Sequence, residues 1–383
     1  MRICLIYDCL YPYTVGGAER WFRVLAGELA EAGHEVTYVT LRQWERDSEP
    51  DVPGVRVVTA GPRLALYTEG GRRRLLPPLV FGAGVLWHLL RRGRRYDAVH
   101  TVSFPFFPLL AAAALRRLGR YRLVVDWVEV WTAAYWREYA GGLAGRAGRR
   151  VQRLCARLTQ QAFCFSELHA RRLREEGCRG AITVLRGMYA GSGDTAGETE
   201  REQLVVYAGR HIPEKRVPAL VRAFARVHAA RPELRLEIFG DGPDRPAVER
   251  AVAEESVSEG VVLRGFVERD EVEGALARAL CLVLPSRREG YGLVVVEAAA
   301  RGTPSVVVAG EDNAATELVS EGENGAIAAS DSPEDLAAAI LRVVEAGPAL
   351  RESTASWFAR NADRLRLGGS VAAVVATYRT GGP

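Results

Sequence analysis

Short apolar runs alternate with amphipathic segments along the chain. The runs have the length and β-branched content of buried strands, and the segments between them repeat apolar residues every three or four positions. This alternation predicts βαβ units and parallel sheets with helices on both faces. The predicted strands are Ile3–Tyr7, Val36–Leu41, Val55–Thr59, Ala98–Val102, Leu123–Val125, Ala162–Phe165, Ile182–Leu185, Leu204–Ala208, Leu234–Phe239, Val261–Leu263, Cys281–Leu284 and Ser305–Val308; predicted helices include Ala18–Ala32, Leu168–Glu176, Val217–Ala230, Asp244–Glu255 and Leu293–Ala300.

One segment interrupts this alternation. Residues 190–202 are rich in Gly, Ser, Thr and Glu and contain no apolar residue larger than Ala, which is typical of a linker. A chain of 383 residues is long enough for two α/β domains. We therefore predict an N-terminal domain over 1–188, a linker over 189–203, a second domain over 204–362, and a C-terminal helix over 363–383 that packs back on the N-terminal domain. Because ligands bind beyond the carboxyl ends of parallel strands, we expect the site in a cleft between the domains.

Composition excludes several classes of function. The chain is 48% hydrophobic and 26% charged with a net charge of +4, and no basic tail of the kind found in nucleic-acid-binding proteins is present. The six cysteines form no CxxC pair, and no Cys/His cluster has the spacing of metal ligands. The chain opens on a strand and lacks a long uncharged apolar stretch, so we expect a cytoplasmic protein without a signal peptide or membrane span.

The chain contains a single lysine, Lys215, among 51 basic residues. It follows the predicted strand Leu204–Ala208 together with Arg210, just before a predicted helix. An arginine and a lysine at the carboxyl end of a parallel strand can neutralise a diphosphate without a metal. The alternative is a solvated charged loop.

The segment from Glu289 to Glu297 carries two carboxylates eight residues apart, with Gly290 and Gly292 between them. It leads from a strand into a helix. Carboxylates accept hydrogen bonds from sugar hydroxyls, and glycine N–H groups can approach phosphate or sugar oxygens closely. Acidic residues favoured by the helix dipole would explain one carboxylate but not the whole segment.

Other glycine turns give weaker signals. Gly16 and Gly17 are adjacent at the start of a predicted helix, a pattern that differs from the GxGxxG fingerprint of nicotinamide-binding proteins. Gly240 and the pair Phe266 and Val267 follow later strands. Each of these positions is compatible with a ligand contact and with an ordinary turn.

Taken together, the chain resembles the family-4 retaining glycosyltransferases of the GT-B fold, in which two Rossmann-like parallel-sheet domains face each other across a cleft. The resemblance covers nearly the whole length, and its most specific part is the E-x7-E segment that starts with Glu289-Gly290-Tyr291-Gly292. The other matching motifs are Gly16-Gly17-Ala18-Glu19, Val184-Leu185-Arg186-Gly187, Gly209-Arg210 with Lys215, Phe239-Gly240-Asp241-Gly242-Pro243, Gly265-Phe266-Val267 and Glu323-Asn324-Gly325.

The resemblance implies a reaction. A sugar would pass from a nucleoside-diphosphate sugar, UDP- rather than GDP-, to a hydroxyl acceptor with retention of configuration. The acceptor would be a saccharide, a lipid-linked molecule or a natural product. No metal or other cofactor would be needed, which fits a chain without an Asp-x-Asp motif.

The resemblance also implies roles for residues. Arg210 and Lys215 would bind the donor diphosphate and stabilise it as it departs. Gly17 would donate backbone hydrogen bonds to the same phosphates. Glu289 would bind the donor sugar and Glu297 the ribose hydroxyls. The whole predicted donor site comprises Arg210, Lys215, Glu289, Gly16, Gly17, Gly240, Phe266, Val267, Gly290, Tyr291, Gly292, Leu293 and Glu297, with the main chain around Phe266 and Val267 near the base.

One departure concerns catalysis. The family commonly has a histidine at the end of a strand in the middle of the N-terminal domain, where this chain reads Leu123-Val-Val-Asp126-Trp127-Val-Glu129-Val-Trp131. Alignment places Val125 or Asp126 there, and we predict that Asp126 acts as a hydrogen-bond acceptor near the reacting centre. The missing histidine motivates one alternative, a nucleotide-sugar-binding protein that needs a partner. A separate alternative is another GT-B enzyme such as a sugar-nucleotide epimerase.

Two surfaces concern the acceptor. Aromatic residues cluster after Asp126 and predict either an acceptor wall or core packing. Residues 72–95 have basic ends around an apolar centre, which predicts either peripheral contact with the inner membrane face or a solvated helix. The aromatic cluster consists of Trp127, Trp131, Tyr135, Trp136 and Tyr139.

Overall fold

The computed structural model describes residues 1–45, 48, 50–68, 70, 72–191 and 201–380. The chain forms two units. The first contains Met1–Thr68, Arg72–Arg186 and the C-terminal residues from Gly368, and the second contains Gly187–Leu367. Of the linker predicted over 189–203, residues 192–200 lie outside the described residues.

A parallel sheet forms the centre of the first unit. Its strands among the described residues are β1 (Arg2–Ile6), β2 (Glu35–Thr40), β3 (Val55–Thr59), β4 (Ala98–Val102), β5 (Arg122–Trp127), β6 (Gln161–Cys164) and β7 (Ile182–Val184). They lie in the order β3-β2-β1-β4-β5-β6-β7. Because the order reverses between β1 and β4, the carboxyl ends of these two strands form a topological switch point, where a crevice is expected.

The helices of the first unit cover the sheet, which explains why its central strands are buried along almost their whole length. Two helices begin at side-chain caps: Thr132 accepts a hydrogen bond from Tyr135 N, and Ser166 accepts one from His169 N. The helices described before the second unit begins are α1 (Gly17–Glu31), α2 (Leu76–Arg92), α3 (Phe106–Gly119), α4 (Ala133–Ala140), α5 (Gly142–Ala156) and α6 (Glu167–Glu175).

The second unit repeats this plan. Its described strands are β8 (Leu204–Ala208), β9 (Arg235–Phe239), β10 (Val261–Gly265), β11 (Cys281–Leu284), β12 (Arg288–Glu289), β13 (Ser305–Val308), β14 (Asp312–Asn313) and β15 (Gly325–Ala328). Six form a parallel sheet in the order β10-β9-β8-β11-β13-β15, and β12 pairs with β14 beside it. The predicted fold class of two parallel-sheet α/β domains is thus confirmed.

The remaining helices complete both units. They are α7 (Val217–Ala230), α8 (Arg245–Glu254), α9 (Arg269–Arg278), α10 (Leu293–Ala299), α11 (Pro333–Leu365) and α12 (Leu367–Thr380). The long helix α11 is interrupted at Gly347, which has a φ of +55° and precedes Pro348. From Gly368 onward α12 belongs to the first unit. Among the described residues, no helix combines the length and apolar composition that crossing a membrane requires.

Candidate functional site

The single lysine pairs with the first carboxylate of the glutamate segment. Lys215 ends a short 3-10 turn after β8, and Glu289 ends β12. Lys215 Nζ donates a hydrogen bond to Glu289 Oε1, although 74 residues separate the two in the sequence. Their side chains are only 18% and 10% exposed, so solvent screens this ion pair weakly.

Backbone contacts hold the two loops that carry this pair. Arg287 N donates to Glu214 O at 2.9 Å. Glu214 directly precedes Lys215, and Arg287 lies two residues before Glu289, so this bond joins the two loops. Glu289 lies opposite Asn313 in the β12–β14 pair. The buried Asn313 amide donates to the carbonyls of Ser286 at 3.0 Å and Val308 at 2.8 Å. Asn313 therefore fixes the loop of Glu289, a role that the sequence did not predict.

The residues after Glu289 enter α10. Gly290 and Tyr291 are buried. Gly292 has a φ of +99°, and a Cβ there would lie 2.7 Å from the Cβ of Ala315, so only glycine fits. Leu293 begins the helix and Glu297 lies one turn further, both half-exposed. The negative charge of Glu297 acts on Arg269 of α9. Glu289 is therefore buried beside Lys215, whereas Glu297 is half-exposed near Arg269. Two separate ligand contacts would require such different surroundings.

Three strand ends of the second unit are tied in a row. Gly209 N donates to Phe239 O at 3.0 Å, and Gly240 N donates to Gly265 O at 2.6 Å. A Cβ on Gly240 would collide with the carbonyl of Gly209, which gives this glycine a packing reason of its own. These two hydrogen bonds link the carboxyl ends of β8, β9 and β10, so that three predicted site residues lie at or next to the same edge of the sheet. These are the exposed Arg210 after β8, Gly240 after β9, and Phe266 after β10, which is 69% exposed and precedes the half-exposed Val267.

A buried histidine lies between the two predicted cations. His211 is fully buried, and neither ring nitrogen has a hydrogen-bond partner among the described residues. Burial, followed by the charge of Arg245, lowers its pKa, so the imidazole is neutral near pH 7. His211 was not predicted as a site residue. The available signal was its position between Arg210 and Lys215.

The first unit has a buried ion pair at its switch point. Asp8, two residues after β1, is fully buried, and its Oδ2 accepts a hydrogen bond from Arg73 Nη2. The Arg73 guanidinium lies 5.7 Å from the ring centroid of Phe104, after β4, and 5.5 Å from that of Tyr67. Burial opposes the charge on Arg73, but Asp8, followed by Cys9 and two tyrosines, together outweigh this effect, and the guanidinium pKa is raised.

Two atoms of this pair remain unsatisfied. Among the described residues, Asp8 Oδ1 and Arg73 Nε are buried without a hydrogen-bond partner. Neither residue was predicted to belong to a site. Arg73 lies in the segment 72–95, for which the sequence predicted either membrane contact or a solvated helix. An aspartate immediately after the first strand was the available sequence signal. The pair offers one acceptor and one donor for a polar ligand at the switch point.

The aromatic cluster divides between core and edge. Trp127, Tyr135 and Trp136 are buried, whereas Trp131 and Tyr139 are half-exposed. The Trp131 ring centroid lies 5.1 Å from that of Phe104 and 5.0 Å from that of Tyr139. Tyr139 Oη accepts a hydrogen bond from Arg73 N at 3.1 Å. Core packing is therefore confirmed for Trp127, Tyr135 and Trp136, whereas an acceptor wall stays a prediction for Trp131 and Tyr139.

The structure does not support the position predicted for Asp126. Its carboxylate is fully buried: Oδ2 accepts from Trp21 Nε1 at 2.6 Å, and Oδ1 bonds His100 Nε2 at 2.7 Å. His100 Nδ1 bonds the hydroxyl of Tyr378 at 2.6 Å. The physical reason is that β5 runs one residue past Asp126, to Trp127, which keeps the carboxylate inside the core.

The residues that follow β5 are Val128 and Glu129, both half-exposed. Glu129 Oε2 accepts a hydrogen bond from Trp131 Nε1 at 3.0 Å. Glu129 therefore replaces Asp126 as the candidate carboxylate at this strand end.

The glycine pair lies in the first unit. Gly16 caps α1 and Gly17 is its first residue. A Cβ on Gly16 would collide with the carboxylate of Glu19, a buried residue whose Oε1 accepts a hydrogen bond from Tyr7 Oη at 3.3 Å. A Cβ on Gly17 would meet nothing within 4 Å. A side chain at position 16 would therefore require the Glu19 carboxylate to shift, whereas no described neighbour restricts Gly17.

Two parts of the chain match the sequence patterns of known protein families. The pattern of the glycosyl transferase 4-like domain matches residues 16–187, and that of the glycosyl transferases group 1 matches residues 194–360. Among curated relatives, a glycogen synthase of Mycobacterium tuberculosis is 27% identical over 372 residues, which cover 90% of this chain and 86% of the relative.

Solved structures share the fold. Sucrose-phosphate synthase from Thermosynechococcus elongatus superposes with a TM-score of 0.79 at 20% identity, over 99% of this chain and 98% of the other. HepE from Anabaena, solved in complex with UDP, superposes with a TM-score of 0.74 at 17% identity, over 98% of this chain and 99% of the other. The chain therefore has the GT-B fold and belongs to the group 1 glycosyltransferases.

Proposed function

We propose that this glycosyltransferase uses a nucleoside-diphosphate sugar, UDP- rather than GDP-, and transfers the sugar to a hydroxyl with retention of configuration and without a metal. The Lys215–Glu289 pair carries the proposal. Its ammonium is half-buried in the loop that follows β8, and the exposed Arg210 precedes it by five residues in the same loop. The complex of HepE with UDP supports a uridine nucleotide.

The proposed chemistry assigns each charge a task. The bond between the anomeric carbon and the diphosphate breaks, and negative charge develops on the departing phosphate oxygens. Lys215 and Arg210 stabilise that charge, and the weak screening around Lys215 strengthens its effect. The acceptor oxygen bonds the anomeric carbon, and its proton passes to the released diphosphate. Glu289 orients Lys215 and accepts a hydrogen bond from a donor-sugar hydroxyl.

For the acceptor we propose the switch-point edge of the first unit. Trp131 and Tyr139 are half-exposed aromatic side chains at this edge, and a sugar ring can stack on an aromatic ring. The unsatisfied atoms of Asp8 and Arg73 would pair with acceptor hydroxyls after a small movement. A saccharide acceptor fits this combination of stacking and hydrogen bonding better than a purely apolar one.

Substitution of the lysine tests the donor assignment. Lys215→Ala should still fold, with a lower thermal stability because the largely buried Glu289 loses its partner, but should lose at least about 100-fold in the rate of UDP release with donor and acceptor present. It should also lose the stabilisation that UDP gives to the wild type. Arg231→Ala is the matched control, because Arg231 is a partly exposed cation of the same unit that forms an ion pair with its sequence neighbour Glu233. A wild-type rate for Lys215→Ala on every nucleotide sugar tested would refute the assignment.

A second candidate is a nucleotide-sugar-binding protein that needs a partner for activity. The observation that favours it is the absence of a histidine from residues 123–131, around the end of β5, where the family commonly has one. Tight UDP-sugar binding without donor hydrolysis or transfer to any acceptor would support this candidate. A sugar-nucleotide epimerase would instead change the donor sugar without an acceptor.

A further inference from the structure

The outward face of α2 is apolar. Five large side chains on it are between 42% and 61% exposed. Their consecutive spacings of three, seven, one and three residues place them along one side of the helix, whereas the opposite side packs into the unit through Phe81, Val85 and Leu89. The exposed stripe consists of Leu76, Leu79, Leu86, Trp87 and Leu90.

Exposed apolar residues are concentrated here. Of the thirteen large hydrophobic residues exposed in the described part of the chain, eight lie between Leu75 and Leu118. Leu118, at the end of α3, is 59% exposed, and its carbonyl accepts a hydrogen bond from Arg94 Nε at 3.2 Å. The surface therefore continues from α2 onto α3. Scattered exposed leucines are normal, but a contiguous patch of this kind marks an interaction surface.

Arginines flank the stripe at both ends. Arg72 and Arg74 precede α2, while Arg91, Arg94 and Arg95 lie at or beyond its last turn, and no acidic residue occurs from 72 to 96. The Arg91 guanidinium stacks 3.9 Å from the ring centroid of Trp87. Positive charge and exposed apolar area thus occur together on one surface.

A pocket opens beside Trp87. Arg56 of β3 and Arg91 and Arg92 of α2 line it together with His88, and no carboxylate contributes among its lining residues. Burial, then the charges of Arg92 and Arg56, lower the pKa of His88 to about 4, so at neutral pH the guanidinium groups alone carry charge there. Several guanidinium groups around one pocket suit a phosphate group.

We propose that this surface docks on membranes containing anionic phospholipids, with a headgroup phosphate in the pocket of Arg56, Arg91 and Arg92 and the stripe of α2 at the boundary between headgroups and acyl chains. Charge complementarity selects this occupant. A second copy of the same surface would bring two arginine rims together, which like-charge repulsion opposes. The proposal goes beyond glycosyl transfer and does not depend on it.

Vesicle flotation with the full-length protein tests the proposal. The wild type should float with vesicles of phosphatidylcholine and phosphatidylglycerol, should not float with phosphatidylcholine alone, and should be released by salt. The double variant Leu86→Ser/Leu90→Ser should bind the anionic vesicles at least roughly tenfold more weakly, because each buried leucine contributes to partitioning. Arg56→Gln/Arg91→Gln should weaken binding by roughly 30-fold, from about 1 kcal/mol for each arginine near an anionic surface.

The control lies on α5, which carries the same residue types. Leu143 is 81% exposed and Arg146 is exposed, so Leu143→Ser/Arg146→Gln should leave vesicle binding unchanged. All substituted side chains but that of Arg56 lie on exposed helix positions, and thermal unfolding checks that each variant folds. Three outcomes would overturn the proposal: no binding to anionic vesicles, equal loss in the α5 control, or stabilisation by inorganic phosphate without vesicle binding.

Discussion

At the residue scale, two carboxylates near the end of β5 have opposite environments. Asp126 is fully buried and bonded to Trp21 and His100. Glu129 is half-exposed beside the ring of Trp131. Burial with satisfied oxygens makes Asp126 part of the fold, since no ligand can reach it. Exposure leaves Glu129 accessible to a ligand at the strand end.

This difference predicts separable effects. Asp126→Ala should lower the free energy of unfolding by about 3 kcal/mol, because the donors of Trp21 and His100 lose a buried acceptor. Its turnover for each folded molecule should stay near that of the wild type. Glu129→Gln should keep the wild-type stability and reduce turnover. Urea unfolding and initial rates at matched folded concentrations measure both. The assignment would be wrong if Asp126→Ala retained its stability but lost activity.

The sequence predicted the donor residues more completely than their surroundings. Lys215 and Glu289 were predicted because composition singles out one and a local motif the other, and the structure pairs them. The Asp8–Arg73 pair joins residues 65 positions apart, and no local pattern indicates such a contact. The Asn313 amide donates to the backbone carbonyl of Ser286, 27 residues away. A sequence motif does not indicate a contact with a backbone group of another loop.

At the element scale, the strands were predictable because parallel strands buried on both faces are short apolar runs. The exceptions have physical reasons. The sequence of β15 is Gly-Ala-Ile-Ala, too small and too short to differ from a helix or loop, although four residues pair with β13. The strands β12 and β14 have two residues each and contain charged or polar side chains. Such pairs form only because the surrounding loops bring them together.

Helix α2 carries a pH-dependent contribution to stability. Burial and two arginines lower the pKa of His88 to about 4, against about 6.5 in the unfolded chain. Between these values the unfolded state binds a proton that the folded state does not, so the free energy of unfolding falls as pH decreases from 6.5 toward 4. Above pH 6.5 the contribution is fully present. Its size is on the order of 2 kcal/mol.

The variant His88→Gln tests this contribution. Glutamine does not titrate but can still hydrogen bond the hydroxyl of Tyr96, which lies 2.8 Å from His88 Nε2 in the wild type. Urea unfolding across this pH range should show a smaller loss of stability in the variant than in the wild type. His228→Gln is the control, because His228 is a half-exposed histidine of the second unit whose Nδ1 bonds the carbonyl of Leu234 at 3.0 Å. Parallel stability curves for wild type and His88→Gln would contradict the prediction.

At the scale of the whole molecule, the predicted donor residues divide between the two units. Arg210, Lys215 and Glu289 belong to the second unit, and Gly16 and Gly17 belong to the first. The resemblance assigns both groups to one diphosphate. Within the second unit, the Lys215–Glu289 ion pair and the backbone bond between Arg287 and Glu214 bring the predicted loops together. The role of Gly17 rests on the sequence motif and on the open space around its Cα.

Hydrogen–deuterium exchange with and without UDP separates these two groups. Binding should slow exchange of the amides in the loops 209–216 and 286–293, because a ligand that binds only the folded state suppresses local opening. If Gly17 also donates to the diphosphate, residues 14–18 should be protected to a similar degree. Lys215→Ala should abolish protection in both units, since both effects require the bound nucleotide. Protection confined to the second unit would remove Gly16 and Gly17 from the donor site and leave Lys215 and Glu289 as its centre.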